Sequence, residues 1–216
     1  MSITGKTWYP EAYMFAVTAA FSGILIVFAA LTQERVERNE LIFLQRAVLV
    51  AVGAAAERTP PEEISRIYDE RIVAVKTDPQ GRDDVDNVIE YRLMAPGSDT
   101  VEAIGVPFGG QGYWDQIRGV IRVRPDRRTV TGIYFYQQNE TPGLGGEIVT
   151  EDFRGRFEDK QLAAGDQPLQ IVQAGQEIGD SQVQAVTGAT QTSIRLERML
   201  NEDLRAWQAR TQEGGQ

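Results

Sequence analysis

Val186-Thr187-Gly188-Ala189-Thr190-Gln191-Thr192-Ser193 is a hydroxyl-rich stretch that runs directly into an apolar repeat at Leu196, Leu200, Leu204 and Trp207. That spacing predicts an amphipathic helix from about Thr190 to Gln208, with the hydroxyls of Thr187, Thr190, Thr192 and Ser193 gathered around its N-terminus. The first turn of a helix carries N–H groups with no partner inside the helix, and its dipole leaves that end partly positive. It is therefore a natural seat for a phosphate. The same residues also suit plain capping. Thr187 or Thr190 can accept from the first N–H groups, and Gly188 permits the turn.

A second segment, Glu140-Thr141-Pro142-Gly143-Leu144-Gly145-Gly146-Glu147, lies upstream. Pro142 followed by Gly143 predicts a type II turn, and the further glycines let the backbone approach something closely. Two more pieces frame it: Gly110-Gln111-Gly112-Tyr113-Trp114 before, and Phe153 to Leu162 after.

Together, in this order, these segments resemble the FMN-binding domain family of two bacterial electron-transfer complexes. Its members include the C component of the sodium-pumping NADH:quinone oxidoreductase and the G component of the related Rnf complex. The likeness covers roughly residues 100–210 plus the N-terminal layout. The family pattern Ser/Thr-Gly-Ala-Thr-x-Thr is matched from Thr187 to Thr192, and Glu-Thr-Pro-Gly-Leu-Gly from Glu140 to Gly145. Gly110 to Trp114 is similar to the Gly-x-Gly-Leu-Trp of the oxidoreductase component. One departure is Gln184, which stands where an acidic residue often precedes the Thr-Gly pair.

The resemblance implies FMN esterified through its phosphate to Thr192, attached by a separate flavin transferase, since no base is visible beside Thr192 in the sequence. Gly188 and Ala189 then keep the approach to the phosphate open, with Thr187, Thr190 and Ser193 around it. The loop holding Glu140, Thr141, Gly143, Leu144 and Gly145 is expected against the isoalloxazine ring, with Leu144 over its apolar edge. Trp114 is either beside the ring or a core tryptophan. Tyr134 and Tyr136 read as strand residues.

Composition narrows the chemistry. The chain has 216 residues and a formal net charge of −9, with no long basic run, so nucleic acid is not an expected partner. It contains no Cys and no His. Thiolate-held iron–sulfur clusters, ordinary haem or zinc sites, and Ser–His or Cys–His nucleophiles are excluded from this chain alone. Electrons, if it carries them, need an organic cofactor, and a flavin meets that need. No metal site is expected: the acidic run Asp83-Asp84-Val85-Asp86 lacks the loop length and terminal Glu of a calcium-binding EF-hand and reads as solvated loop.

No charged side chain occurs from Ala12 to Gln33, a stretch long enough to cross the ~30 Å hydrocarbon core of a bilayer as a helix. Trp8, Tyr9 and Tyr13 at its front edge suit an interfacial aromatic cluster. A cleaved signal peptide would have a shorter apolar run, about 7–15 residues, and a cleavage site that Ala29-Ala30 matches poorly. A retained single-pass anchor is the expectation. Charge does not orient it, with Lys6 before the span and Arg35, Arg38 and Arg46 after. The resemblance implies a bacterial inner membrane with the flavin domain on the periplasmic side.

Past the span, Glu34 to about Gly53 reads as a helix with Leu41, Leu44 and Val48 on one face. It is closed by Thr59-Pro60-Pro61, and a short helix follows from Glu62 to Tyr68. Strands are expected at 71–75, 88–94, 101–106, 119–124 and 130–136, with short late ones at 169–172 and 183–186 and a short helix at 153–162. Residues 78–81 read as a turn, and the tail from Thr211 should fray.

The expected architecture is α+β: an anchor (1–33), a helical connector (34–70) and a mixed or antiparallel-sheet FMN-binding domain (71–216). The expected function is a membrane-anchored covalent-FMN electron carrier in an ion-translocating respiratory complex. It would be a redox subunit with no catalytic residues of its own, and its partners the other membrane subunits, the flavin transferase and lipid. Two alternatives stay open at this level: a stand-alone membrane-tethered flavoprotein of another electron-transfer chain, and a cofactor-free structural subunit.

Overall fold

A computed structural model describes residues 8–78, 80, 87–173 and 175–213. Lys6, most of the acidic run's loop with Asp83 to Asp86, and residues 214–216 lie outside them, as do Pro79 and Gly81 of the expected turn. The chain divides into two compact units, Met1–Phe43 and Leu44–Gln216.

The described residues of the first unit are almost entirely helix. Helix α1 (Tyr9–Val52) begins in it and is uninterrupted, because no Pro or Gly pair breaks the run that the anchor and the next segment share. Among the described residues, its apolar stretch has no buried face: Phe15 is 77% exposed and Leu31 74%. A helix that is apolar all round is stable only in an apolar surrounding, and this one has the length and composition to cross a membrane. Polarity returns at Gln33, and Arg38 pairs with Glu34 one turn away at 3.1 Å.

The second unit opens with the last turns of α1. Here Ala47, Val48, Leu49 and Val52 are buried, and Val52 packs with Leu93 and Ala103. The helix stops at Gly53, whose φ of +80° suits the left-handed C-terminal position. Helix α2 (Pro61–Arg71) starts with proline at its first position, where the missing N–H costs nothing, and buries Ile64 and Tyr68.

Five strands follow: β1 (Ile72–Lys76), β2 (Val88–Met94), β3 (Val101–Gln111), β4 (Gln116–Val123) and β5 (Val130–Gln137). They form one antiparallel sheet in chain order. Strand β3 runs past the residue where alternation of side chains ends. Gly109, Gly110 and Gln111 still pair with Arg118, Ile117 and Gln116, since the ladder is made by main-chain groups that no side chain announces. This extension delivers Tyr113 and Trp114 to the site described below.

Helix α3 (Glu151–Gly155) is shorter and earlier than the sequence suggests. Thr150 caps it, accepting from Phe153 N at 3.4 Å, and soon after Gly155 the chain turns with Asp159 at φ +56°. Strands β6 (Gln170–Val172) and β7 (Gln182–Gln184) pair in parallel as a separate ribbon. Helix α4 (Thr190–Glu213) closes the domain and reaches two residues beyond the expected start of fraying. Its stripe of Leu196, Met199, Leu200, Leu204 and Trp207 lies in one core cluster with Val106, Phe108, Ile121 and Phe135 from the sheet. Each such fully buried aliphatic side chain contributes roughly 1.5–3 kcal/mol.

One buried charge ties the far end of α4 to the sheet. The Glu90 carboxylate on β2, with a side chain 1% exposed, accepts from Arg92 Nε at 2.6 Å, from both terminal nitrogens of Arg127 at 3.0 Å, and from Trp207 Nε1 at 2.6 Å. Burial pushes its pKa up, but the bonds from Trp207, Arg92 and Arg127 outweigh that and hold it below the ordinary value.

Candidate functional site

Two tight turns and one helix end make the site. The first turn is Thr141 to Leu144, where Leu144 N donates to Thr141 O at 3.1 Å and Gly143 has φ +76°; this is the type II turn that Pro142-Gly143 predicts. The second is Val186 to Ala189, closed by Ala189 N donating to Val186 O at 3.2 Å, with Gly188 at φ +78° in the corresponding place. Helix α4 begins immediately after. Its first i to i−4 bond is Ser193 N to Ala189 O at 3.0 Å, so the amides of Thr190, Gln191 and Thr192 precede the intrahelical ladder. Thr190 is the first helical residue rather than the residue before it, which is Ala189; the cap expected of Thr190 is therefore not its position.

The two turns face each other across a cavity of about 310 Å³ lined by Tyr113, Trp114, Glu140, Thr141, Leu144, Gly145 and the run Gly188 to Thr192. That volume is at the small end of the ~300–1,000 Å³ usual for ligand pockets. Thr192 is 4% exposed and Glu140 5%. The Thr192 hydroxyl donates to Glu140 Oε2 at 2.6 Å, joining residues 52 apart in sequence. The other carboxylate oxygen, Oε1, accepts from Trp114 N at 3.0 Å. The sequence shows no base beside Thr192; the structure puts a carboxylate against it. Sequence spacing gives no sign of this contact, because it needs the loop before α3 to fold back on the start of α4.

Trp114 is 65% exposed and Tyr113 49%, which rules out a core role for Trp114. The two rings meet edge to face at 5.1 Å, and Trp114 Nε1 donates to Thr141 Oγ1 at 2.9 Å, fixing the indole at the cavity rim. Leu144, 46% exposed, is the apolar side chain of the opposite turn. Arg195, one helical turn beyond Thr192, sets its guanidinium over the Tyr113 ring at 6.0 Å and brings a cation to that rim. The carboxyl of Asp115, next in the chain, is held below the usual range by hydrogen bonds from Asn139 and the Gln116 amide.

A phosphate fits this cradle. The helix N-terminus supplies unsatisfied amides and a positive dipole end, and a glycine at 145 leaves the floor open. A Cβ added there would lie 2.4 Å from Thr192 Oγ1 and 2.8 Å from Glu140 Oε2. The architecture and this cradle match one family. Residues 112–205 match the family model of the FMN-binding domain. Over that stretch the chain is similar to the FMN-binding domain family.

The chain has relatives among the C components of the Na(+)-translocating NADH-quinone reductase. The protein from Pasteurella multocida is 35% identical over 109 residues, 50% of this chain and 42% of that one. The one from Pseudomonas aeruginosa is 26% identical over 226 residues, 86% of this chain and 87% of that one. The matched stretch thus spans about two-fifths of the length of the first of these. In fold, the crystal structure of the same reductase component from Parabacteroides distasonis aligns with a TM-score of 0.65 at 23% identity, over 81% of this chain and 94% of that one.

Of the residues the sequence singles out, the fold brings Trp114, Glu140, Thr141, Leu144, Gly145, Gly188, Ala189, Thr190 and Thr192 to the cavity. Thr187, Gly143 and Ser193 are not among its lining residues. Gly143 serves the turn, and Ser193 is buried with its hydroxyl unpaired. Sequence reasoning passes over Tyr113, Gln191 and Arg195. Arg195 has a readable signal, since positions three apart share a helix face with Thr192. Gln184 lies in β7 and donates to Gln176 O at 3.2 Å.

Proposed function

We propose that this chain is a membrane-anchored carrier of covalently bound FMN, with the flavin phosphate esterified to Thr192. It would act as a redox subunit of an ion-translocating complex of the NADH-quinone reductase kind. The observation that carries the reading is the Thr192 hydroxyl, buried yet lining the cavity at the N-terminus of α4. The match to the FMN-binding domain model supports FMN as the cofactor, and the names of the relatives support the complex.

FMN, when bound, accepts and releases electrons through its ring system. The chain's own residues hold it. The amides opening α4 offset the phosphate's charge, which matters in a chain at −9. Gly145 and Gly188 leave room, while Tyr113, Trp114 and Leu144 offer apolar surface at the rim. The all-round apolar half of α1 supports anchoring in a bilayer, residues 1–33 forming the anchor, 34–70 the connector and 71–216 the flavin domain. We place the flavin domain on the outer face of a bacterial inner membrane, beside other membrane subunits, with a separate flavin transferase performing the attachment.

The test is direct. In cells that make a flavin transferase, the full chain should gain the mass of one FMN ester, and its band should fluoresce on a denaturing gel under ultraviolet light. Thr192→Ala should lose both signals while Thr190→Ala keeps them. A fluorescent band persisting in Thr192→Ala would move the attachment site elsewhere.

A further inference from the structure

We propose that the far end of α4 carries a second ligand site, for a small monocarboxylate with an apolar body. The site is a cavity of about 360 Å³ bounded by α4, the turn between β4 and β5, and the chain that follows α3. It shares no lining residue with the cavity at the start of α4, and its Trp207 stands about 22 Å along the helix from Thr192. The floor is apolar: Leu162 and Trp207 are each 2% exposed, and Ala164 sits exposed at the rim. Among the described residues that line it, the charged ones are Arg127 and Arg128, in a chain whose net charge is −9.

The two arginines differ in what they already hold. Both terminal nitrogens of Arg127 donate to buried Glu90 at 3.0 Å, so that charge is matched. Among the described residues the Arg128 side chain makes no hydrogen bond and no ion pair. The nearby carboxylates do not serve it. Asp126 accepts from Arg128 N at 2.8 Å, Thr129 N at 2.9 Å and Thr129 Oγ1 at 2.6 Å. Asp166, its side chain 97% exposed, pairs with Arg205 at 3.8 Å. The neutral polar groups of the cavity are engaged as well: Gln208 Nε2 donates to Ala163 O at 3.3 Å, and the Thr211 hydroxyl to Trp207 O at 3.0 Å. One guanidinium is left to recognise a ligand. Its main chain is held in place, with Arg128 N on Asp126 Oδ1 and Leu162 N on Arg128 O at 2.8 Å, which lowers the ordering cost of binding.

A single unmatched cation beside an apolar floor selects the ligand. A carboxylate meets the guanidinium fork with two parallel hydrogen bonds and cancels one charge. A phosphate dianion would bring a second charge with no partner, close to the buried Glu90 carboxylate. A hydrocarbon body over Leu162 and Trp207 gains from leaving water. The volume lies at the low end of the ~300–1,000 Å³ usual for ligand pockets, so the body is about one ring with a short chain. The alternative is a water-filled cleft with Arg128 merely solvated, and such a cleft has no preference for an apolar acid.

The probe is 3-phenylpropionate, titrated calorimetrically into the full chain in detergent, with the heat of detergent alone subtracted. It should bind with a Kd of about 1 mM or tighter, an affinity open to a ligand of that size. Neutral 3-phenylpropanamide, of the same shape, should bind at least about tenfold more weakly, and so should the acid to Arg128→Gln, since a hydrogen bond to a charged group contributes about that factor. Arg128 is exposed, so this variant leaves the buried contacts alone. Ala164→Trp, which fills the cavity from its rim, should abolish binding. Absence of saturable heat up to ~20 mM probe would overturn the proposal, as would equal binding of the amide. Binding unchanged in Arg128→Gln or in Ala164→Trp would place the probe elsewhere and overturn it too. Inorganic phosphate binding as tightly as the probe would overturn the ligand class.

Discussion

Gly145→Ala tests how tightly the two turns close on each other. The new Cβ would lie 2.4 Å from Thr192 Oγ1, 2.8 Å from Glu140 Oε2 and 3.2 Å from Glu140 Cβ. Neither neighbour moves freely. Threonine is β-branched and stiff at χ1, so swinging its oxygen away from the methyl also breaks the bond to Glu140. Glu140 is held in turn by Trp114 N. If the contact is kept under strain, overpacking costs about 1–3 kcal/mol. If it breaks, the loss of a hydrogen bond to a charged group costs about 1.5–3 kcal/mol. These are alternatives, so the expected destabilisation is about 1–3 kcal/mol. At about 2–4 °C per kcal/mol for a domain of this size, the melting temperature should fall by about 2–12 °C. Calorimetry of the full chain in detergent measures it, and intact mass should show attachment at Thr192 reduced. An unchanged melting temperature with full attachment would refute the reasoning, because the turns would then have slack that the distances deny.

Three further outcomes follow from the same structure. The full chain should stay in the membrane pellet after carbonate washing, and a version starting at Leu44 should be soluble and cooperatively folded. A version starting after Val52 should melt earlier, since it loses the buried Val48, Leu49 and Val52; equal melting of the two would put those side chains outside the core. For Glu90, the folded pKa lies below its ordinary 4.5, so its contribution is present above about that pH and is lost as pH falls through the folded value. Glu90→Gln should therefore cost about 1–3 kcal/mol at pH 7. Its deficit in melting temperature should shrink below pH 4.5, and a deficit constant with pH would contradict the sign.

Much of the fold was legible because it rests on local rules. The leucine spacing after Thr192 announced α4, alternation announced the centres of β2, β4 and β5, and Pro142-Gly143 announced its turn. An uncharged run from Ala12 to Gln33 announced the apolar half of α1. The ends were less legible: β3 continues through Gly109 to Gln111 on main-chain pairing alone, and α3 ends at Gly155, short of the helix expected through Leu162.

The sequence by itself determined which residue types meet at the site, since the Thr-Gly-Ala-Thr and Pro-Gly patterns are written in consecutive residues and their turns depend only on local torsions. Only the tertiary structure decided what those residues do to one another. The bond from Thr192 to Glu140 spans 52 positions, and Trp114 stands exposed at a rim rather than in the core because β3 runs on toward that edge. Such contacts are products of how a sheet, a loop and a helix pack, and no periodicity within a single segment encodes them.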